Sequence, residues 1–194
     1  MKVIGITGGI GSGKSTVLEL LETHFHAYII KADDVAKDIM QPGFEGYKQV
    51  VEFFGEEILS ADNTINRPLL SQIVFHNPNK RIVLNSIIHP LVKKMITEKI
   101  GTLKAEGQYE YVFVEAALLI EDHYQVICDE FWYIYVPEEL RRERLKSSRG
   151  YSDEKIDAIL KSQLTEEEFR EHCVQVIDNS KDLDFTLGQL EKLL

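Results

Sequence analysis

The chain has 194 residues, of which 44% are hydrophobic and 28% charged, and its 22 Lys and Arg against 32 Asp and Glu give a formal net charge of −10. This composition is typical of a globular domain that buries roughly 70% of its unfolded surface, and it excludes disordered and fibrous classes. The negative charge also argues against nucleic-acid and anionic-membrane partners, because these need a broad positive field.

The cysteines and the N-terminus indicate the compartment. Cys128 and Cys173 form no CxxC pair and no zinc spacing, so neither a disulfide framework nor a structural metal is predicted. The apolar run MKVIGIT meets glycines after seven residues, which is too short for a signal sequence or a membrane span. We therefore expect a cytoplasmic protein.

Short apolar runs alternate with helical patterns along the chain. Strands are predicted at residues 2–7, 27–30, 109–114, 131–136 and 174–177. A helix is predicted at 15–24, and the stretch from 33 to about 104 is mostly helical. Breaks within that stretch are expected at Gln41-Pro42-Gly43, Asn77-Pro78-Asn79 and His89-Pro90. The alternation predicts an α/β fold, with a parallel sheet covered on both faces and a helical insert between strands two and three.

A phosphate-binding loop follows the first strand. Residues 8–15, GGIGSGKS, satisfy G-x-x-x-x-G-K-[ST], with Gly8, Gly13, Lys14 and Ser15 at the defining positions. Glycines, Gly11 among them, let the backbone turn its N–H groups toward phosphate oxygens. The lysine can reach the β and γ phosphates, and the serine hydroxyl can ligate Mg²⁺. The loop therefore predicts nucleoside triphosphate binding, against the alternative of a glycine-rich turn with an incidental lysine.

Acidic residues follow two other strands, at the edge where ligands collect in a parallel sheet. Asp33 is a candidate to accept the proton of an attacking hydroxyl, and Asp34 competes for that role. Alternatively, one of the two caps a helix that starts near Val35. Glu115 is a candidate Mg²⁺ ligand, or else a carboxylate at a helix N-terminus.

The densest positive stretch is RRERLKSSR at residues 141–149, with four arginines and Lys146 against the single acid Glu143. Arginines suit phosphoryl transfer because their planar guanidinium groups donate in a fork to phosphate oxygens. The alternative is a solvated helix face with pairs such as Glu138 to Arg142. For the cluster as a whole, we favour a functional interpretation.

Taken together, these motifs resemble the dephospho-CoA kinase family, from the first strand to the end of the chain. The matching segments are GITGGIGSGKST at 5–16, Ala32-Asp33, Gln41-Pro42-Gly43, INRPLLSQIVF at 65–75, IIHPLV at 87–92, LLIE at 118–121, VPEELRRERL at 136–145, Gln163 and VIDNS at 176–180. The INR and HPLV segments are not general phosphate-loop features, so the resemblance is specific.

The resemblance implies ATP-dependent phosphorylation of the ribose 3′-hydroxyl of dephospho-CoA, the final step of coenzyme A biosynthesis, with Mg²⁺. It implies a five-stranded parallel sheet of the P-loop NTPase class, similar to nucleoside and nucleotide kinases, with a helical substrate-binding insert and a helical lid. In a single kinase domain we expect the core at about 1–32, 108–140 and 173–194, the CoA-binding insert at about 33–107 and the lid at about 141–172.

The resemblance also implies site residues. The catalytic group is Asp33 as base, with Lys14, Arg144 and Arg149. The ATP-binding group is Gly8, Gly11, Ser12, Gly13, Lys14, Ser15, Thr16 and, near the adenine, Asn179. The substrate-binding group is Asp33, Arg67, His89 and Leu118, and the Mg²⁺ ligands are Ser15 and Glu115. ATP and dephospho-CoA are the expected partners, and no obligate protein partner is indicated.

The chain departs from the family pattern at a few positions. Lys31 stands where many members have an acid, Ala117 where a proline is usual and Ile159 where a lid arginine is common. The usual Arg-Asp-Gly after the basic helix reads Ser148-Arg149-Gly150, and our hypothesis is that the displaced Arg149 substitutes for the family arginine.

Other functions are open from the sequence. A P-loop kinase for another nucleoside, nucleotide or small metabolite uses the same chemistry. A GTP-dependent switch is disfavoured, because no Asn-Lys-x-Asp motif follows a late strand. A scaffold that kept the loop without its chemistry is disfavoured because Lys14, Ser15 and Asp33 are all intact.

Overall fold

Five strands form one parallel sheet in the computed structural model, which describes residues 1–194. In chain order they are β1 Lys2–Thr7, β2 Tyr28–Lys31, β3 Tyr111–Glu115, β4 Glu130–Tyr135 and β5 Gln175–Asp178. The order across the sheet is β2-β3-β1-β4-β5, so the first strand lies at the centre. The predicted α/β fold of the P-loop class is confirmed.

Helices connect the strands. They are α1 Lys14–His24, α2 Ala32–Ile39, α3 Glu45–Phe54, α4 Arg67–His76, α5 Pro78–Glu106, α6 Glu138–Arg149, α7 Asp153–Lys161, α8 Glu166–His172 and α9 Leu183–Leu190, with short 3₁₀ turns at Glu56–Ile58 and Tyr124–Val126. None of them combines the length and the apolar character that a membrane span requires.

Strand register brings the functional segments to one edge. Ile6 of β1 lies beside Glu115 of β3, and Thr7 lies beside Tyr133 of β4. Because the strands are parallel, the loop after β1, the end of β3 and the start of α6 after β4 meet at their carboxyl ends. The segment after β5 reaches the same edge.

The sheet core explains why the strands read as apolar runs. Ile4, Phe113, Trp132 and Ile134 are buried in one cluster, with Leu21 of α1 packed among them. Burial on both faces of a parallel sheet favours continuous apolar strands rather than alternating ones. Each such side chain stabilises the fold by about 1.5–3 kcal/mol relative to exposure.

The chain divides into two compact units, residues 1–30 with 106–194, and residues 31–105. The first unit holds most of the sheet, α1 and α6–α9, and the second holds α2–α5. The finer limits of core, insert and lid given above stay predictions.

The helical unit has its own core and caps. Val50, Ile58 and Ile96 are fully buried within it. Asn66 caps α4 by accepting a hydrogen bond from the Leu69 amide at 3.1 Å, with a proline in the first turn. An Asn cap followed by proline is a strong helix-start signal, which accounts for this part of the INRP segment.

Two of the predicted breaks in the helical stretch are confirmed and one is wrong. Non-helical residues separate α2 from α3 and α4 from α5, at the two proline-containing turns where the sequence predicts them. The break expected at His89-Pro90 is absent, because α5 continues through Pro90. Ile88, Val92 and Ile96 are buried at helical spacing around it, and their packing outweighs the local cost of proline.

Candidate active site

The phosphate loop joins β1 to α1 in a conformation that depends on glycine. Gly8, Gly11 and Gly13 have φ values of 151°, 80° and 78°, a region that L side chains rarely adopt. Gly13 is the N-cap of α1 and offers no side-chain cap, so the first N–H groups of that helix face the loop. A helix start of this kind attracts phosphate through its N–H groups and its dipole.

A cleft of about 530 Å³ lies over the loop. Its lining residues are Ile10, Gly11, Ser12, Gly13, Lys14, Ser15, Thr16, Glu115, Arg144, Leu145, Ser148 and Arg149. The cleft therefore brings together most of the predicted ATP-binding residues, the predicted metal ligands and two predicted catalytic arginines. Gly8 lies below this surface, where its carbonyl oxygen accepts a hydrogen bond from Lys14 Nζ at 2.7 Å.

The cleft is locally positive although the chain is acidic. Lys14, Arg144 and Arg149 line it against the single carboxylate of Glu115. Cations gathered in a partly enclosed cleft attract anionic ligands more strongly than the net charge of the whole protein would suggest. The arrangement suits a polyphosphate.

The donor set fits Mg²⁺ bound together with a nucleotide. Ser15 and Glu115 both line the cleft and supply hard oxygen atoms. No cluster of three or more His, Cys, Asp or Glu residues could hold a metal by itself. Mg²⁺ usually takes one or two protein ligands and completes its coordination shell with phosphate oxygens and water. Two oxygen ligands from the protein are consistent with this preference.

Asn179 lies under the phosphate loop and is only 5% exposed. Its Nδ2 donates to the Ser12 carbonyl oxygen at 2.8 Å and to that of Gly13 at 3.5 Å, and its Oδ1 accepts from Thr186 Oγ1 at 3.0 Å. Its own carbonyl oxygen accepts from Arg144 at 3.0 Å. The side chain therefore supports the loop, and its predicted adenine contact stays a prediction.

The arginines of α6 have different surroundings. Arg142 pairs with Glu138 at 2.8 Å and Asp157 at 2.6 Å, and these two acids raise the pKa of its guanidinium. That residue matches the solvated-face interpretation. Arg149, at the end of α6, lies in the cleft with its guanidinium carbon 6.0 Å from the Tyr151 ring centroid. The hydrogen bond from Arg149 is the main reason that the pKa of the Tyr151 phenol is lowered.

Asp33 and Asp34 lie in the first turn of α2, which begins at Ala32. The alternative that one of them caps this helix is wrong: Lys31 is the N-cap, and no side chain caps the helix. Asp34 is paired with Lys37 one turn later, and this pairing lowers the pKa of the Asp34 carboxyl. Asp33 is exposed and has no such partner, so it is the more available carboxylate of the two.

The remaining predicted substrate residues are placed as follows. Arg67 donates to the Lys37 carbonyl oxygen at 2.8 Å, and so ties the start of α4 to α2. His89 is half-buried within α5. Leu118, in the turns after β3, is 42% exposed and does not line the cleft over the loop.

Three residues that contact the loop or its supports were not among the predicted site residues. Arg141 and Gln163 bond to the loop backbone at Ile10, and Thr186 bonds to Asn179. Gln163 belonged to the family motifs, and that was the available signal. Thr186 lies within α9 with no distinguishing spacing, so the sequence carries no sign of its contact.

A phosphate loop between a central parallel strand and a following helix, in a cleft lined by arginines, defines a nucleotide-binding protein of the P-loop class. Shikimate kinase from Acinetobacter baumannii has this fold: it superposes with a TM-score of 0.55 over 100% of this chain and 93% of that chain, at 15% identity.

The chain belongs to the dephospho-CoA kinase family, whose model matches residues 2–184. A dephospho-CoA kinase of Carboxydothermus hydrogenoformans is 41% identical over all of this chain and 93% of its own length. The dephospho-CoA kinase structure from Campylobacter jejuni superposes with a TM-score of 0.73, at 28% identity, over 99% of this chain and 96% of that chain. The predicted family and the predicted enzyme class, a kinase, are confirmed.

Proposed function

We propose that the protein transfers the γ-phosphoryl group of ATP to the ribose 3′-hydroxyl of dephospho-CoA, giving coenzyme A and ADP. The observation that carries this proposal is the arginine-lined cleft over an intact phosphate loop, in a chain of the dephospho-CoA kinase family. The product is coenzyme A, so the reaction is the last step of its biosynthesis.

ATP binds over the loop with its phosphates against the start of α1. The backbone N–H groups of residues 11–16 and the Lys14 ammonium hold the β and γ phosphates. Ser12 Oγ is buried and has no hydrogen-bond partner in the protein, which supports a polar ligand atom beside it. Arg144 and Arg149 neutralise the charge that spreads over the transferring phosphoryl oxygens.

Ser15 and Glu115 are the protein groups that would hold Mg²⁺ bound together with ATP. When bound, the ion neutralises phosphate charge and orients the γ-phosphoryl group for in-line transfer. The fit of one hydroxyl and one carboxylate in the same cleft supports this assignment.

Asp33 orients the attacking hydroxyl and accepts its proton. Its exposure and its lack of a pairing cation support the choice of Asp33 over Asp34, which is held by Lys37. Arg67 and His89 bind the substrate from the helical unit, and Leu118 offers an exposed apolar contact near the end of β3.

We place this reaction in the cytoplasm, with ATP and dephospho-CoA as the substrates. Two free cysteines and the acidic composition support a reducing compartment and no nucleic-acid role.

The test is ATP consumption with dephospho-CoA beside a panel of nucleosides, nucleotides and shikimate-like alcohols. We expect turnover when dephospho-CoA is the acceptor and none with the other acceptors. For Asp33→Asn we expect kcat to fall by about 10²- to 10⁴-fold, the range that loss of a general base produces. Asp34→Asn is the matched control, since it removes the neighbouring carboxylate, and it should stay close to the unaltered chain. Turnover with a different acceptor would reject the named substrate, and equal losses in both variants would reject Asp33 as base.

A further inference from the structure

Ile10, in the middle of the phosphate loop, has both its backbone N–H and its backbone carbonyl group bonded to side chains from outside the loop. The Ile10 amide donates to Gln163 Oε1 at 3.0 Å, and the Ile10 carbonyl oxygen accepts from Arg141 Nε at 3.1 Å. These bonds join the loop to residues more than a hundred positions away in sequence. Loop backbone shape decides where N–H groups meet phosphate, so a restraint at this point acts on the ligand.

The two side chains that hold Ile10 also contact each other. The Arg141 guanidinium reaches Gln163 Oε1 at 3.5 Å, so this oxygen faces both the Ile10 amide and a cation. The guanidinium packs directly on Gly9, where an added Cβ would lie 2.6 Å from Arg141 Cζ. A glycine is therefore needed at position 9 so that the Arg141 guanidinium can approach the backbone closely. Its backbone conformation does not itself require glycine, because its φ lies outside the positive region.

The two residues come from different elements. Arg141 lies in the first turn of α6, whose Leu145 also packs near Gly11. Gln163 follows the end of α7, beyond a chain reversal at Gly150, which has a φ of 61°. Gln163 thus connects the far end of α7 to the loop.

We propose that Gln163 and Arg141 are positioning residues that hold the phosphate loop at Ile10 in its nucleotide-binding shape. Docking of Gln163 and binding of ATP then favour one another, because a coupling between two sites is reciprocal. Neither residue lines the cleft over the loop, and the effect reaches the nucleotide through the Ile10 peptide groups. The inference rests on the proposed function only in that the nucleotide is ATP.

The first experiment compares two substitutions at one position. Gln163→Met keeps the length of the side chain but removes the acceptor, whereas Gln163→Glu keeps an acceptor for both the amide and the guanidinium. Calorimetric titration with ATP and Mg²⁺, without acceptor substrate, should give an ATP Kd about ten-fold weaker for Gln163→Met. This variant loses two hydrogen bonds at once, one from the Ile10 amide and one from the charged Arg141 guanidinium. Gln163→Glu should restore most of the affinity, and Lys161→Met, on the exposed end of α7, is the matched control.

A second experiment approaches the same contact from the loop. Gly9→Ala displaces the Arg141 guanidinium while leaving Gln163 unchanged, and it should also weaken ATP binding. If the two side chains act as one unit, the combined Gly9→Ala and Gln163→Met chain will be weakened by less than the product of the single effects. Amide exchange at Ile10, followed by NMR without nucleotide, should be faster in either single variant.

Three outcomes overturn the inference. The first is an unchanged ATP Kd in Gln163→Met, and the second is no recovery of ATP affinity in Gln163→Glu. The third is a lower melting temperature of Gln163→Met without ATP, together with equal changes in its kcat and in both KM values, because this would indicate a purely structural contact. Because the titration uses no acceptor, a chain that binds ATP as expected but fails to phosphorylate dephospho-CoA would reject the proposed function alone.

Discussion

Asn179 shows how a single buried side chain organises the site. All of its side-chain polar groups are occupied by the Ser12 and Gly13 carbonyl oxygens and by the Thr186 hydroxyl. Gly13 is close enough that a Cβ there would collide with Asn179 Nδ2. The segment after β5 therefore supports the base of the phosphate loop by buried hydrogen bonds.

Asn179→Ala should lower the free energy of unfolding by about 2 kcal/mol, since it leaves buried groups without hydrogen-bond partners. Urea denaturation followed through the fluorescence of Trp132, the single tryptophan, measures this. Thr186→Val removes only the hydroxyl partner of the Asn179 side chain and should cost about 1 kcal/mol. A variant of Asn179 that keeps its stability but binds ATP weakly would instead favour direct contact with the adenine.

At the scale of elements, α6 divides its arginines by helical position. Arg141 and Arg144 face the loop and bond to the backbone oxygens of Ile10 and Asn179, whereas Arg142 faces α7 and pairs with Asp157. The sequence marks the cluster as basic, but only the rotation of the helix against the sheet assigns each side chain a partner.

Helix α5 carries a proline in its interior. Pro90 is exposed, and it provides no N–H for the helical hydrogen bond to the preceding turn. The buried residues on the other face keep the helix continuous across it. The segment around His89 and Pro90 therefore retains a local cost within an otherwise regular helix.

Pro90→Ala should raise the free energy of unfolding by about 1–3 kcal/mol, because alanine restores the hydrogen bond and removes the steric conflict. Chemical denaturation followed by circular dichroism detects the change in this 29-residue helix. Asn85→Ala, at another exposed position of α5, controls for helix propensity and should add only about 0.5 kcal/mol. A less stable Pro90→Ala chain would show that the proline is accommodated without cost.

At the scale of the whole molecule, an acidic chain presents a positive cleft and two protected thiols. Burial raises the pKa of Cys128 to about 12, with a smaller contribution from the Asp129 charge. Burial alone raises that of Cys173 to about 12. Thiols of this kind are protonated at neutral pH and react slowly.

Alkylation by iodoacetamide at pH 8, followed by mass spectrometry, should be at least about a hundred-fold slower in the folded chain than in urea, since thiolate is the reactive form. The folded chain retains these protons to higher pH than the unfolded chain. The contribution of these two thiols to the free energy of unfolding is therefore fully present below about pH 9 and is lost as pH rises toward about 12. Cys128→Ala should weaken that dependence. Rapid alkylation of Cys128, the buried thiol of the two, at pH 8 would contradict this prediction.

The sequence by itself determined the features that are local in the chain. The phosphate loop, the five strands and the family follow from contiguous residues, because glycine conformation and apolar runs depend on near neighbours. The break expected at Pro90 was wrong because the sequence shows the local cost of a proline in a helix but does not show the packing that outweighs this cost.

Only the tertiary structure decided which distant groups meet. The positions of Asn179 beneath Ser12 and of Arg141 and Gln163 on Ile10 depend on strand order and helix rotation. Such contacts join segments that have no common period in the sequence. Their hydrogen bonds are selected by burial and geometry once the chain is folded, so a motif can mark a residue such as Gln163 but does not identify its partner.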